Sequence, residues 1–191
     1  MRRSSTRGVV CLMIDPVEDT DMLDLAIQWA CLPCADRPSD VDLERWATAA
    51  LLAVRAARGE PLDDGPLLEL TIRVVDAEEG RQLNAAFRGQ DRPTNVLSFP
   101  WEPPSEAAVD LFPVLGDLVL CAPVVAAEAV SQCKPPAHHW AHLTVHGVLH
   151  LCGYDHLDPA EAAVMEALER QVLAVLGIPD PYVEHDGAAT A

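Results

Sequence analysis

Residues 146–156 read HGVLHLCGYDH, and no other stretch constrains the chain as strongly. The string spaces three histidines as His146-x3-His150-x5-His156, with Gly153 between the second and third. Side chains four residues apart share one face of a helix, so His146 and His150 can grip one ion from a single rigid element. Glycine readily takes the left-handed conformation that ends a helix. A stop at Gly153 lets Tyr154 and Asp155 swing His156 back toward the pair, and three imidazoles then converge on one point. Zinc suits such a site because it accepts nitrogen ligands in four-coordinate geometry. Three protein ligands leave one position open, the mark of a catalytic ion, so the expectation is one zinc per chain held by His146, His150 and His156. Nickel or copper would accept the same donors.

Six of the seven histidines fall within residues 138–156. His142, His146 and His150 stripe one helical face and form a rival ligand set. Along a straight helix those three spread over roughly 12 Å at ~1.5 Å per residue, too far for one zinc with bonds of ~2 Å. His142 is therefore read as facing substrate or supporting a ligand from behind. Asp155 precedes the third histidine and is a candidate to orient a ligand imidazole, as carboxylates behind metal sites often do. The HExxHxxGxxH metalloproteases share the histidine spacing but carry a glutamate after the first histidine as general base. Here that position is Gly147, which cannot move a proton, so the pattern argues for a metal hydrolase other than a peptidase.

A second candidate stretch is Leu83–Gly89 followed by Arg92–Pro100. Arg88 leaves a helix end beside a glycine, where a guanidinium can clamp a phosphate with paired donors.

The chain has 191 residues, half of them hydrophobic, enough for one domain with a real core. No apolar run approaches the length needed to cross a membrane. Two early arginines and the apolar patch 8–14 resemble a signal peptide, but Asp15, Glu18, Asp19 and Asp21 follow at once with no small-residue cleavage site. Residues 1–21 are read as a flexible N-terminal extension, with Met13 and Met22 as alternative starts. Six scattered cysteines suggest a reducing cytoplasm rather than a disulfide framework. Cys31-Leu32-Pro33-Cys34 stands alone, without a second pair, and Cys152 is read as core packing near the helix end.

The net charge of −17 opposes a nucleic-acid role. Its distribution softens that objection. Arg73, Arg81, Arg88, Arg92 and Lys134 lie between the second strand and the histidine helix, and Asp91 is the only acid within residues 81–92. A locally positive groove on an acidic body is compatible with this arrangement.

Hydrophobic periodicity predicts a first strand over Leu23–Trp29, a helix over Asp40–Arg58 and a second strand over Leu68–Val75. Asp76 with Glu79 predicts a capping-box start for a helix ending at Gly89. Strands follow at Thr94–Phe99 and Gly116–Cys121. Residues 100–113, with four prolines, read as a mobile excursion. Pro123 opens a helix that Pro135-Pro136 should end, and the histidine helix begins near Ala137. Asp158, Pro159 and Glu161 start a last helix that closes at Gly177. The fold class is α+β: a single domain with about four strands, packed helices and a buried metal helix.

Taken together, HGVLHLCGYDH, the PTNVLSFP run, Gly116–Cys121 and His139-Trp140-Ala141-His142 resemble the YbeY family of zinc-dependent endoribonucleases. The resemblance spans Met22 to Val183 (a YbeY-like endoribonuclease domain, 22–183) and leaves 184–191 as a flexible tail. It implies a zincin-like core with the metal helix packed centrally, His146, His150 and His156 as zinc ligands, and Arg88 in the place of the family's functionally required arginine. It also implies single-strand-preferring cleavage in 16S rRNA 3′-end maturation and ribosome quality control. The partners implied are rRNA and the small ribosomal subunit with its assembly proteins, with no DNA and no membrane. Two readings stand beside this one: a zinc hydrolase with a non-RNA substrate, and a ribosome-assembly factor whose zinc holds the fold.

Overall fold

Alternation decides the first element. In β1 (Leu23–Trp29) the side chains of Leu23, Leu25, Ile27 and Trp29 pack on the core while Asp24, Ala26 and Gln28 face out. The computed structural model describes residues 22–33, 36–62, 66–104 and 113–183. The expectations for 1–21, for the tail 184–191, for Cys34 and for 105–112 of the proline-rich stretch lie outside the described residues.

Helix α1 (Asp40–Arg58) starts on a reciprocal cap. Ser39 Oγ accepts the Asp42 N–H, and the Asp42 carboxylate accepts the Ser39 N–H. Trp46, Ala50, Leu51 and Val54 are all buried, as their spacing predicts. The helix ends at Gly59 and carries the chain across to β2 (Leu68–Val75), which runs parallel to β1. A parallel pair needs a crossover of this length. Helix α2 (Ala77–Arg88) then begins with Asp76 accepting the Glu79 N–H at 2.9 Å. The expected capping box is only half formed, because the Glu79 carboxylate turns instead to Arg73.

Strands β3 (Val96–Pro100) and β4 (Val114–Cys121) are antiparallel partners, and β4 lies parallel to β2. The sheet is mixed, in the order β1-β2-β4-β3. Both β3 and β4 are placed a few residues from the expected bounds: β3 starts two residues later, and β4 two residues earlier. Three helices follow: α3 (Ala122–Ser131), α4 (Pro136–Leu151) and α5 (Pro159–Val175). Pro135-Pro136, expected to stop α3, instead open α4. The earlier helix has already closed at Ser131 through a turn with Cys133 at φ 53°, and Pro136 takes the first helical position, where its missing N–H costs nothing. At α5 the Asp158 carboxylate accepts from the N–H groups of Ala160 and Glu161 as expected. The architecture is a mixed four-stranded sheet packed against helices, an α+β fold. No helix among the described residues is long and apolar enough to cross a membrane.

One face of the sheet carries the main core, in which Leu70, Ile72, Val74, Leu118 and Leu120 meet α1, α4 and α5. A smaller cluster of Val75, Leu97, Val119 and Cys121 packs with Leu83 of α2 on the other face. Helix α4 is buried along most of its length, including Trp140, Leu143, Val145, Val148 and Leu149. Gly147 explains how close it comes to the sheet. A Cβ built there would overlap Leu118 Cδ1, and Leu118 is itself fully buried in β4. The Gly147 carbonyl accepts the Ser98 hydroxyl at 3.1 Å, which ties α4 to β3 as well.

Gly147→Ala should therefore lower stability by about 1–3 kcal/mol through overpacking, read as an earlier urea midpoint at unchanged slope. An unchanged midpoint would mean that α4 and β4 can separate freely.

Candidate metal and groove site

The last two turns of α4 present His146 and His150, whose Nε2 atoms stand 3.1 Å apart. The helix closes with N–H donors from Gly153 to His150 O and from Tyr154 to Leu149 O. Arg58 of α1 reaches over to donate to the Cys152 carbonyl at 2.6 Å, which satisfies one of the acceptors left over at a helix end. Gly153 takes φ +88°, which turns the chain back. His156 then returns beside the pair, its ring centroid 5.6 Å from that of His146 and 5.0 Å from that of His150. One ligand atom from each of the three lies within 4.8 Å of the others, a cluster able to hold a metal ion.

Each ring is prepared differently. Burial pushes His150 below the ordinary histidine range, and the neighbouring His146 and His156 push the same way. The neutral imidazole, which is the ligating form, is favoured there. His146 is fixed from behind, its Nδ1 lying 2.7 Å from Glu169 Oε1. Glu169 stands on α5 with no exposed surface. Burial alone would raise its carboxyl, but the neighbouring His142 and His146 rings and the Tyr182 hydroxyl together hold it at about 2. An ionised carboxylate only accepts, so Nδ1 of His146 carries the proton and Nε2 keeps its lone pair for the centre of the cluster.

The remaining candidates fall into different places. His142 does not border the groove. It lies behind the cluster, with Nε2 3.6 Å from Glu169 Oε2 and its ring 5.6 Å from Tyr182. Both of its ring nitrogens lack a hydrogen-bond partner. His142, His146 and Glu169 make a second potential metal-holding group, whereas the stripe His142, His146, His150 is not assembled among the described residues. Asp155 accepts the main-chain N–H of His156 at 2.7 Å, so its carboxylate sets the returning loop. Burial pushes the Cys152 thiol up to about 11, and the side chain packs on the core.

A groove of about 560 Å³ runs past the cluster, bordered by the three histidines, Asp155, Arg88 and residues of 94–100. Arg88 ends α2, where Gly89 at φ +68° closes the helix. Its guanidinium is exposed and has no partner among the described residues. Three of the other basic groups of this region are occupied. Arg73 pairs with Glu79, Arg81 with Glu78 and Asp91, and Lys134 donates to the Pro181 carbonyl. The positive groove expected from the sequence thus narrows to Arg88, because Arg92 does not border it. The loop before β3 is braced from below: Asn95 Nδ2 donates to the Glu128 carboxylate, which also meets His139 Nε2 at 2.8 Å.

Glu169 is the functional candidate that sequence reasoning missed. Its signal was an acid within an otherwise apolar helical stripe, with Met165 four residues before and Leu173 four after. A charge on a core-facing stripe is almost never left buried without a partner.

Fold and site together define a class: α+β domains that gather metal-capable histidines from one central helix and the loop after it, beside a groove with a free arginine. Comparison with known proteins narrows the class. Residues 35–177 match the family described as Endoribonuclease YbeY. An Endoribonuclease YbeY of Alkalilimnicola ehrlichii is 54% identical over 170 residues, covering 89% of this chain and 97% of that protein. One from Halorhodospira halophila is 62% identical over 116 residues, 61% of this chain and 75% of that one. One from Stutzerimonas stutzeri is 52% identical, with 85% and 93% covered. The chain belongs to the YbeY family.

Glu169→Gln should weaken binding of an added divalent metal by roughly 10–100-fold, the usual effect of losing a carboxylate behind a ligand imidazole. A competition titration against a chromophoric chelator reads this directly. An unchanged affinity would show that His146 is oriented without Glu169.

Proposed function

We propose that this chain is a metal-dependent endoribonuclease that prefers single-stranded RNA and acts in 16S rRNA 3′-end maturation and ribosome quality control. Membership of the YbeY family supports the activity and its rRNA setting. The observation that carries the reading within this chain is the groove itself, where three convergent histidines face a free arginine. In this reading His146, His150 and His156 hold zinc, as the zincin-like helix and its nitrogen-only donor set suit. When bound, zinc supplies Lewis acidity toward a phosphodiester oxygen and acidifies water.

The chain's own residues do the rest. Arg88 offers paired donors to the scissile phosphate and meets the charge that grows in the transition state. Glu169 keeps His146 in its ligating tautomer. Asp155 holds the main chain of His156 so that the third ring stays in place. No side chain moves a proton at position 147, because Gly147 has none, and a Cβ there would overlap Leu118 Cδ1. That steric fact weighs against a zincin-type peptidase. The partners in this reading are rRNA and the small ribosomal subunit with its assembly proteins, and the cytoplasm is where they meet.

The assembly-factor reading makes the metal a structural element, and removing it should then unfold the domain. In this fold α4 is held by the apolar core rather than by the histidines. Chelation should therefore abolish cleavage of a single-stranded rRNA fragment while leaving far-UV circular dichroism nearly unchanged. His150→Ala, purified identically, should be inactive. Arg88→Ala should lose roughly 10²–10³-fold in kcat with metal content intact. Full cleavage by either variant would remove that residue from the site, and unfolding on chelation would favour the assembly-factor reading.

A further inference from the structure

Strand β3 is an edge, and its outer side borders the groove. Opposed residues of an antiparallel pair alternate between bonded and unbonded. Cys121 N donates to Asn95 O at 2.9 Å, and Trp101 N donates to Leu115 O at 3.2 Å. With Leu97 opposite Val119 and Phe99 opposite Asp117, the odd-numbered residues are the ones that bond β4. The main-chain groups of Val96, Ser98 and Pro100 therefore point away from β4, and no strand pairs on that side among the described residues. Pro100 agrees with this phase, since proline fits an edge strand where its missing N–H faces outward. All three residues line the groove with His146, His150 and Arg88.

This edge is short of donors. The Val96 N–H is taken by Asn95 Oδ1 at 2.7 Å. Pro100 has no N–H. Ser98 N–H is the one outward donor left, beside the three carbonyls of Val96, Ser98 and Pro100. A polypeptide adding to the edge needs donors and acceptors from both chains in alternation, and two of the three donors it needs are missing. An acceptor-rich strip suits a ligand rich in donors, such as the amino groups of unpaired bases and the ribose 2′-hydroxyl. Phosphates only accept, so the strip leaves them to Arg88. Outward groups recur every second residue, at ~7 Å. In a duplex the amino groups on the Watson–Crick edges are engaged by the partner strand, so only an unpaired strand can offer them to the strip.

We propose that the free edge of β3 is the nucleotide-reading strip of the groove, its carbonyls at 96, 98 and 100 accepting from donors of unpaired nucleotides and Ser98 N–H supplying the single complementary donor. This rests on the endoribonuclease reading and adds which atoms select an unpaired strand.

The test uses the metal-loaded full chain and a single-stranded oligoribonucleotide with a mapped cut. Ser98→Ala removes the hydroxyl alone and sets the baseline for Ser98→Pro, which also removes the outward N–H while the preceding Leu97 is already extended. The expected result is an increase in KM of about 10-fold for the proline variant over the alanine variant, the worth of roughly one hydrogen bond, with metal content and melting temperature matched. A second arm keeps the natural protein and changes the RNA one nucleotide at a time. Single 2′-deoxy substitutions report ribose donors, and bases lacking one exocyclic amino group report base donors. A loss of about 10-fold confined to positions near the cut in either set supports the strip and names the donor. If Ser98→Pro does not fold, this second arm decides alone. Equal KM for the two variants together with indifference to every RNA change overturns the strip while leaving the nuclease reading intact. No cleavage of any RNA by the natural protein overturns both, and cleavage of casein in its place would assign the edge to peptide.

Discussion

The contact between Gly147 and Leu118 fixes what the rest of the molecule can do. Because the residue after the first histidine has no side chain, α4 settles directly on β4. The Ser98 hydroxyl then bonds the Gly147 carbonyl and brings β3 to the same helix. His146 and His150 flank that point, one before it and one a turn later, so the packing that builds the core also sets the distance from the histidines to the edge of the sheet. A side chain at this position, the proton-moving glutamate of the metalloprotease pattern included, would have to push Leu118 aside.

Around that contact the fold buries more polarity than a core of its size would tolerate unpaired. A carboxylate without exposed surface is costly unless its oxygens are bonded. Glu169 meets the condition through His146 on one oxygen and Tyr182 on the other. Tyr182 comes from the segment after α5, and Arg170 stacks 4.8 Å from its ring while pairing with Asp180. The end of the described chain is thereby fastened to the back of the metal-capable cluster. A parallel arrangement braces the groove: Glu128 of α3 joins Asn95 of the loop before β3 to His139 of α4. Two acids on two helices, the fully buried Glu169 and the partly exposed Glu128, thus hold the two sides of the site, one behind the histidines and one beneath the loop.

What the sequence made legible follows from the range of the interactions. Local ones were readable: the period of two in Leu23–Trp29, the cap at Asp158, the turn at Gly153 and the four-residue step from His146 to His150 are all encoded within a few positions. The sequence places the end of α3 too late, because a proline pair looks alike before and after a helix. Only the earlier closure of α3 at Ser131 distinguishes the two cases, and that closure lies in a turn with no glycine to mark it. The strand order, the overlap that excludes a side chain at 147 and the role of Glu169 were out of reach for a different reason. They depend on residues 20 or more apart meeting in space. Asp155 shows the same limit on a smaller scale: its place beside a candidate ligand suggested a ring contact, but the nearest donor was the next main-chain N–H.

The acidity of the chain also finds its physical place. A net charge of −17 repels a polyanion at long range. At physiological ionic strength that repulsion fades over ~8 Å. Contacts made at hydrogen-bond distance are not screened in this way. The arginines on the helices around the site are spent on neighbouring carboxylates, as at Arg81 and Arg170, and leave no broad basic face among the described residues. Arg88 is left free, and it borders the groove. Such a surface gains little from counterion release, which needs many phosphate contacts. On the proposed reading, its selectivity comes from the few groups that line the groove: one guanidinium, three imidazoles and a strip of main-chain carbonyls. On the same reading, this charge distribution disfavours RNA over most of the surface and leaves the groove, where an unpaired strand can be drawn close to the histidines.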